Sequence, residues 1–141
     1  MQSLQENAII ELVLQSKKPL TFLEGLAGFE DILDYFLITN LGQQPLILLQ
    51  AAKVENLSFL VADPFLFYSD YKPKFPENMP LELQVAEEGD PLLLCFMTFP
   101  SPDVSQATIN LAAPLVINLE KGIGKQMQLL NFNDYSLEVP V

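Results

Sequence analysis

Eleven prolines divide this chain of 141 residues into short apolar runs, and that division constrains the fold more than any other feature. Proline fixes its own φ and has no backbone N–H, so it interrupts helices and is excluded from the interior of a sheet ladder. The runs between the prolines are rich in β-branched and aromatic residues and have the length of strands. The pattern predicts an all-β, mainly antiparallel fold, a small β-barrel or roll that can include one short helix.

Each apolar run between turn signals is a predicted strand. The predicted strands are residues 8–14, 20–22, 35–39, 46–50, 57–62, 92–99, 107–111, 115–118 and 126–130. Two of them, 35–39 and 46–50, can pair across the loop that joins them. The Gly-Ile-Gly-Lys sequence at 122–125 is too short for a phosphate-binding loop, so residues 122–124 predict the turn of a hairpin between the last two strands.

Residues 72–88 fit two interpretations. Leu81, Leu83 and Val85 alternate with polar residues, which favours a strand. Pro80 and the glutamate-rich end of the segment suit a short helix, because proline is tolerated in the first helical turn. Strand and helix therefore both remain open for this segment.

The densest group of aromatic residues lies at 59–71, where an apolar run ends just before Pro64. Pro64 predicts that the chain leaves the sheet there, and the aspartate before it is a common turn residue. We expect three of the rings to face the core: Phe59, Phe65 and Phe67. Tyr68 and Tyr71 are expected to face outward and, with Asp70, to contact a partner, because tyrosine can bury its ring at an interface and still form a hydrogen bond.

The charge of the chain is strongly unbalanced, with 18 acidic residues, seven lysines, no arginine and no histidine, for a net charge of −11. Phosphate contacts require clustered lysine and arginine, so direct binding to nucleic acid or to an anionic membrane is not expected. The acidic group of Glu30, Asp31 and Asp34 is either a solvated face that aids solubility or a surface that attracts a basic partner. We retain these three residues as candidates for partner binding.

The missing residue types also argue against catalysis. Without histidine the chain lacks the usual general base and metal ligand, and without arginine it lacks the bidentate clamp for phosphate or carboxylate. We therefore expect no enzyme activity, no metal and no cofactor. Asp63 and Asp70 suit turns better than the carboxylate pair of a hydrolase. Cys95 lies in an apolar run and is expected to be an inert core thiol.

Length and composition predict one domain over residues 1–141. Two further features predict that the protein is located in the cytoplasm. A single cysteine cannot form an intramolecular disulfide, which fits a reducing compartment. The first residues lack the basic end and apolar core of a signal peptide, and no apolar run has the length needed to cross a bilayer.

Glycine and asparagine supply four further positions with an expected structural role. Gly25 and Gly28 should allow backbone conformations that other residues resist. Asn110 and Asn118 lie near strand ends, where their amides are expected to satisfy backbone groups of the loops.

Five motifs in a consistent order make the chain similar to a known family, the FliW flagellar assembly factors. The first is the loop Phe22-Leu-Glu-Gly-Leu-Ala-Gly-Phe-Glu30. The others are Leu-Leu-Gln at 48–50, the aromatic segment at 59–71, Thr-Ile-Asn-Leu-Ala-Ala-Pro-Leu-Val-Ile-Asn at 108–118, and Gly-x-Gln at 124–126 with Tyr-Ser at 135–136. The departures from the family pattern are local: Leu23, Ala27, Leu48 and the pair Tyr68-Ser69.

The resemblance implies a regulator without catalytic activity. Members of this family bind flagellin at its helical termini in the cytoplasm, before export. They also bind the CsrA dimer, an RNA-binding repressor, and relieve its repression of flagellin translation by an allosteric mechanism. The implied partners are therefore flagellin and CsrA, with no direct contact to nucleic acid or membrane. A function of a different class, an apolar small molecule held in the mouth of the barrel, is the alternative.

Overall fold

The computed structural model describes residues 19–38, 46–85, 91–99 and 107–141, in which nine short strands carry most of the regular structure. The strands are β1 (Leu20–Phe22), β2 (Asp34–Ile38), β3 (Ile47–Ala51), β4 (Ser58–Ala62), β5 (Leu92–Thr98), β6 (Thr108–Ile109), β7 (Leu115–Asn118), β8 (Ile123–Gln126) and β9 (Val139–Pro140). The other described elements are the helix α1 (Met79–Glu82) and two 3₁₀ turns, Pro64–Leu66 and Phe132–Asp134. The predicted all-β fold with one short helix is confirmed.

Seven of these strands close into a barrel, in the order β4, β3, β2, β1, β8, β7, β5. Closure comes from the pairing of β5 with β4, through Val61 with Phe96 and Ala62 with Cys95. Neighbouring strands of the barrel are antiparallel except β1 and β8, which run parallel. β6 and β9 lie outside the closed ring, because β6 pairs with the end of β5 and β9 pairs with β6.

Side chains that alternate along the strands fill the barrel interior. The most completely buried of them are Phe22, Tyr35, Leu49, Val61, Leu94, Leu115 and Ile117. β5 is apolar on both faces because Leu93, Cys95 and Met97, which alternate with the interior residues, pack under a second layer of chain. That layer is formed by the segment 64–85 and by residues that follow β8.

Most predicted strands agree with the observed ones to within two residues at each end, and the predicted pairing of 35–39 with 46–50 is present as β2 with β3. The predicted strand at 8–14 lies outside the described residues. The prediction for 126–130 is wrong, because the strand is β8 and shares only Gln126 with that range. The hairpin before it is confirmed, but its turn is 119–122 and Gly124 belongs to the strand. A Cβ on Gly124 would lie 2.9 Å from the ring of Phe22, so glycine allows β8 to lie against β1.

In the described part of the 72–88 segment the helix interpretation is correct and the strand interpretation is wrong. Leu83 is fully buried against the outer face of β7. The side chain of Asn118 holds the end of α1, since its Nδ2 donates to the carbonyls of Leu83 and Gln84 at 2.9 and 3.0 Å. The alternation of three apolar residues is therefore not enough to specify a strand. Here a distant side chain, Asn118, stabilises a helix by hydrogen bonds to the carbonyls at its end. The expected backbone role of Asn118 is thereby confirmed.

Candidate functional site

Residues 23–33, between β1 and β2, form a loop that we call the acidic loop. Leu26 anchors it by packing into the interior cluster of the barrel. Gly25 and Gly28 have φ angles of 67° and 87°, which confirms their expected geometric role. The N–H of Ala27 donates to Oε1 of Gln126 in β8 at 2.9 Å. The loop is therefore fixed to the barrel at a defined position. Its acidic residues are Glu24, Glu30 and Asp31, and Asp34 follows at the start of β2.

Most of the negative charge at this loop is not compensated by a described cation. Glu30 and Asp31 are exposed, and no ion pair involves them among the residues that the structure describes. The Asp34 carboxylate accepts a hydrogen bond from the hydroxyl of Thr21 at 2.8 Å, which fixes its orientation.

A lysine of β8 binds two glutamates from different parts of the chain. Nζ of Lys125 lies 3.5 Å from an oxygen of Glu24 in the acidic loop and closer to Glu82 in α1. The hydrogen bond to Glu82 raises the pKa of Lys125, and the charges of both glutamates act in the same direction. Lys125 therefore offsets Glu24 and leaves the charge at the tip of the acidic loop unchanged.

An open groove lies where β4 and β5 separate, and we call it the seam groove. The paired residues of these two strands are Val61 with Phe96 and Ala62 with Cys95. The same register would place Leu60 opposite Met97 and Ser58 opposite Phe99, but the described structure does not pair them with each other. On its other edge β5 continues as the partner of β6, where the Phe96 carbonyl accepts from the N–H of Asn110. The barrel is therefore closed at one end of β4 and splayed at the other.

The seam groove has a volume of about 610 Å³ and is mostly apolar. It is lined by residues 58–60 of β4, residues 96–99, Ala27 of the acidic loop, Asn110 and Gln126. The rings of Phe59 and Phe96 meet edge to face with centroids 5.2 Å apart, and Phe29 packs on Phe59 at the same distance. The groove and the acidic loop therefore form one continuous surface.

The two amides in the wall of the groove are used to hold the backbone. Oδ1 of Asn110 accepts hydrogen bonds from the N–H groups of Ala112 and Ala113, both at 3.1 Å, so its expected backbone role is confirmed. Gln126 accepts from Ala27 as described above and donates more weakly to the Ala113 carbonyl, at 3.4 Å. No titratable side chain lines the groove among the described residues.

The aromatic segment at 59–71 leaves the barrel at Pro64, as predicted. Asp63 is buried, and its Oδ1 accepts a hydrogen bond from the N–H of Phe65 at 2.9 Å, which caps the 3₁₀ turn. This is the turn role expected for an aspartate before proline. The rings of Phe59, Phe65 and Phe67 are partly buried against the core clusters, in agreement with their predicted orientation.

The three predicted contact residues of this segment differ in exposure. Asp70 is exposed, whereas Tyr68 is half-buried and its hydroxyl donates to the carbonyl of Pro140. The hydrogen bond ties the end of the 3₁₀ turn to β9. Only Asp70 and part of the Tyr68 ring are therefore accessible.

The prediction that Tyr71 faces outward is wrong. Its side chain is 4% exposed, and its hydroxyl donates to the carbonyl of Leu111 at 2.6 Å. The ring lies between those of Phe65 and Tyr135, at centroid distances of 5.7 and 4.9 Å. The 3₁₀ turn folds the chain back over the outer face of β5, so Tyr71 covers Cys95. Burial raises the pKa of both the Tyr71 hydroxyl and the Cys95 thiol, which lies in the core as predicted.

The six predicted partner-binding residues lie in two separate places. Glu30, Asp31 and Asp34 belong to the acidic loop and its exit, which contact the start of β4 through Phe29. Tyr68, Asp70 and Tyr71 follow the other end of β4. The strand between Phe59 and Asp63 spans about 13 Å at the usual rise per residue. The structure thus joins the three acids to the seam groove and leaves the other three residues apart from it.

Sequence reasoning did not find the seam groove. Its residues come from five separate parts of the chain, and apolar runs do not show where two strands stop pairing. Asn110 is the one signal, because an amide that interrupts an apolar run indicates a break in the regular ladder.

Three further observations concern metal ligands, the Asp63–Asp70 pair and membrane-spanning helices. No group of three potential ligands for a metal ion occurs within the described residues. Asp63 is used as a turn cap and Asp70 is exposed, which fits the turn interpretation of this pair. None of the helices in the described ranges is long and apolar enough to cross a membrane.

The fold and the site define a class of small, acidic, closed β-barrels that present a charged loop beside an open apolar seam. The chain belongs to the FliW family, because the family model described as FliW protein matches residues 3–141. The flagellar assembly factor FliW of Natranaerobius thermophilus is 31% identical over 131 residues, which are 93% of this chain and 86% of the relative. That of Borreliella burgdorferi is 36% identical over 116 residues, 82% of this chain and 87% of the relative.

A solved structure agrees with these relatives. The crystal structure of a flagellar assembly factor FliW matches this fold with a TM-score of 0.78 and 31% identity, over 89% of this chain and 86% of that chain. The family resemblance carried by the five motifs is therefore confirmed.

Proposed function

We propose that this protein is a non-enzymatic flagellar assembly factor that binds flagellin in the cytoplasm and antagonises CsrA, so that flagellin synthesis follows export. Membership of the FliW family supports the flagellar role. The acidic loop beside the seam groove is the structural observation that carries the proposal. It combines exposed charge with exposed apolar surface on a rigid support, which suits binding to protein partners.

The acidic loop fits a basic partner such as an RNA-binding dimer. Glu30 and Asp31 are exposed, and the chain as a whole carries a net charge of −11. Acidic charge held near an RNA-binding surface repels phosphate within about one Debye length, roughly 8 Å at physiological salt. Repulsion of this kind weakens RNA binding without occupation of the RNA site, which is compatible with allosteric antagonism.

Flagellin requires a different chemistry, because helical termini bind through an apolar face. Leu23, Phe29 and Leu33 are exposed apolar residues of the acidic loop. They lie in the same loop as the acids, so flagellin and CsrA would compete for one region if both used it. Asp70 and the accessible part of Tyr68 offer a second region, at the other end of β4.

Neutralising the loop acids should weaken CsrA binding about tenfold at low salt. The variant is Glu30→Gln with Asp31→Asn and Asp34→Asn, and the amide oxygen introduced by the last exchange can still accept the hydrogen bond from Thr21. Removing charge from the edge of an interface mainly lowers the association rate and flattens the salt dependence. Titration calorimetry with CsrA at several ionic strengths measures both effects.

A matched control removes the same charge elsewhere. Glu55→Gln, Glu77→Gln and Glu120→Gln change three exposed acids outside the acidic loop and the seam groove. This control should keep most of the affinity and most of the salt slope. An equal loss in both triple variants would mean that only the net charge matters and that the acidic loop is a solvated face.

Binding to the two partners is the direct test of the proposal. The purified protein should co-elute with flagellin and, separately, with CsrA, and added flagellin should release CsrA in a competition experiment. If the protein bound neither flagellin nor CsrA, the proposed function would be refuted.

An apolar small-molecule ligand remains the alternative function. The barrel interior is filled by packed side chains such as Phe22, Tyr35 and Leu94, and the seam groove is an apolar opening among the described residues that such a ligand could occupy. Native mass spectrometry of the purified protein, with detection of a retained adduct, tests this alternative.

A further inference from the structure

We propose that the seam groove binds an extended peptide segment by strand addition, and that this segment carries apolar side chains next to basic residues. The inference is independent of flagellin and CsrA, since it rests on the geometry of β4 and β5. It assigns to the splayed part of the barrel a binding mode based on backbone hydrogen bonds.

The first support is the interruption of the β4–β5 ladder. Two antiparallel strands that stop pairing while both continue leave facing backbone edges between them. Residues 58–60 of β4 form one wall of the groove, and residues 97–99, which follow the last residue of β5 paired with β4, form the other. Ser58 and Leu60 pair with β3 on the opposite side of β4, so β4 remains a regular strand along the groove. No strand within the described residues pairs with this edge of β4 at 58–60, and an extended peptide adds to an edge of that kind.

The second support is the shape and composition of the groove. Phe59 and Phe96 belong to the interior cluster, yet both are only partly buried because the strands separate beside them. Phe99 and Leu60 add apolar surface to the walls. An extended segment presents alternate side chains to one face, so apolar residues at every second position can cover these rings. The volume of about 610 Å³ is enough for several side chains.

The third support is charge complementarity. The described lining of the groove contains no charged residue, and the acidic loop adjoins it through Ala27 and Phe29. Glu30 and Asp31 follow directly in the loop, whereas Lys125 is paired with Glu24 and Glu82. A basic residue that flanks the apolar part of the segment would meet this uncompensated charge. A second copy of the chain is disfavoured as the occupant, because each copy brings a net charge of −11.

The test uses a synthetic fluorescent probe of sequence Lys-Lys-Val-Thr-Val-Thr-Val-Lys-Lys, titrated into the full-length protein. We expect saturable binding that falls at least about tenfold in the Ser58→Lys variant, because a cation in the wall repels the probe and blocks the edge of β4. Thr98→Lys, on the opposite wall, is the second variant and should give the same loss if Ser58→Lys fails to fold. Both positions are exposed.

Matched controls separate strand addition from general attraction to an acidic protein. Ser69→Lys makes the same exchange at an exposed serine outside the groove and should keep the affinity of the unmodified protein within about twofold. A probe with prolines in place of the first and last valines loses backbone donors and should bind at least about tenfold more weakly. Hydrogen exchange should show that the probe protects the groove-facing amides of the two walls, those of Ser58, Leu60, Met97 and Phe99.

Three results would overturn the inference. The first is equal affinity for the probe and its proline-containing form, since binding would then not depend on backbone pairing. The second is equal loss in Ser58→Lys and Ser69→Lys, which would reduce the effect to net charge. The third is strong protection of the Ser58 and Leu60 amides without any probe, because these amides face away from β3 and the edge would then already be occupied by this chain or by a second copy.

Discussion

Replacing Tyr71 with alanine should lower the free energy of unfolding by about 3–5 kcal/mol, the loss typical of truncating a large buried aromatic residue. The ring packs against Phe65 and Tyr135, and only 4% of the residue is exposed. Truncation leaves a cavity on the outer face of β5 and removes the donor to the Leu111 carbonyl. Denaturant unfolding of the variant, followed by circular dichroism, measures the change.

Two neighbouring variants serve as controls for this result. Tyr71→Phe keeps the ring and removes the hydroxyl, so it should lose only about 1–2 kcal/mol. Asp70→Ala changes the adjacent exposed residue and should alter stability by less than about 0.5 kcal/mol. If Tyr71→Ala were as stable as Asp70→Ala, the ring would have to lie at the surface, as the sequence alone predicts.

Replacing Gly25 with alanine should destabilise the protein by roughly 2–5 kcal/mol and displace the acidic loop. An added Cβ would lie 2.6 Å from Cα of Glu30 and 2.7 Å from the carbonyl oxygen of Phe29. These are backbone atoms, which cannot rotate away as a flexible side chain can. The φ angle of +67° adds the strain of a left-handed conformation. The thermal midpoint should fall and, on the proposed function, CsrA binding should fall with it, because the clash lies at the residues that carry the charge.

Gly28→Ala is the matched variant in the same loop. Gly28 also has a positive φ, of 87°, but an added Cβ there meets no atom within 4 Å. Only the conformational strain should therefore appear, about 1–2 kcal/mol, and partner binding should persist. Equal destabilisation by the two substitutions would show that the close approach of Gly25 to Glu30 contributes nothing.

Features that depend on neighbours in the sequence could be predicted. The strands at 20–22 and 115–118 have the predicted bounds, because apolar runs and turn residues act over a few positions. The exit from β4 at Pro64 and its cap by Asp63 are local for the same reason. The glycines of the acidic loop were identifiable because few other residues tolerate a positive φ.

Features that depend on distant parts of the chain could not be predicted in this way. Tyrosine is compatible with both core and surface, and the acceptor that holds Tyr71 inside is a carbonyl 40 residues away. Gly124 of β8 lies against the ring of Phe22 in β1, a contact with a distant part of the chain that local sequence does not record. The seam groove depends on the point at which β5 stops pairing with β4, which the apolar pattern of β5 does not record.

The hydrogen bond from Ala27 to Gln126 bears on the order in which the chain folds during synthesis. It joins residues 99 positions apart, next to the parallel pairing of β1 with β8. Pairings at such separation form late in folding, because the entropy of closing a long loop must be overcome first. During synthesis the acids of the loop leave the ribosome long before β8 exists to support them. We therefore expect the acidic loop to take its described shape only after β8 has been synthesised and paired, so that partially synthesised chains do not capture partners.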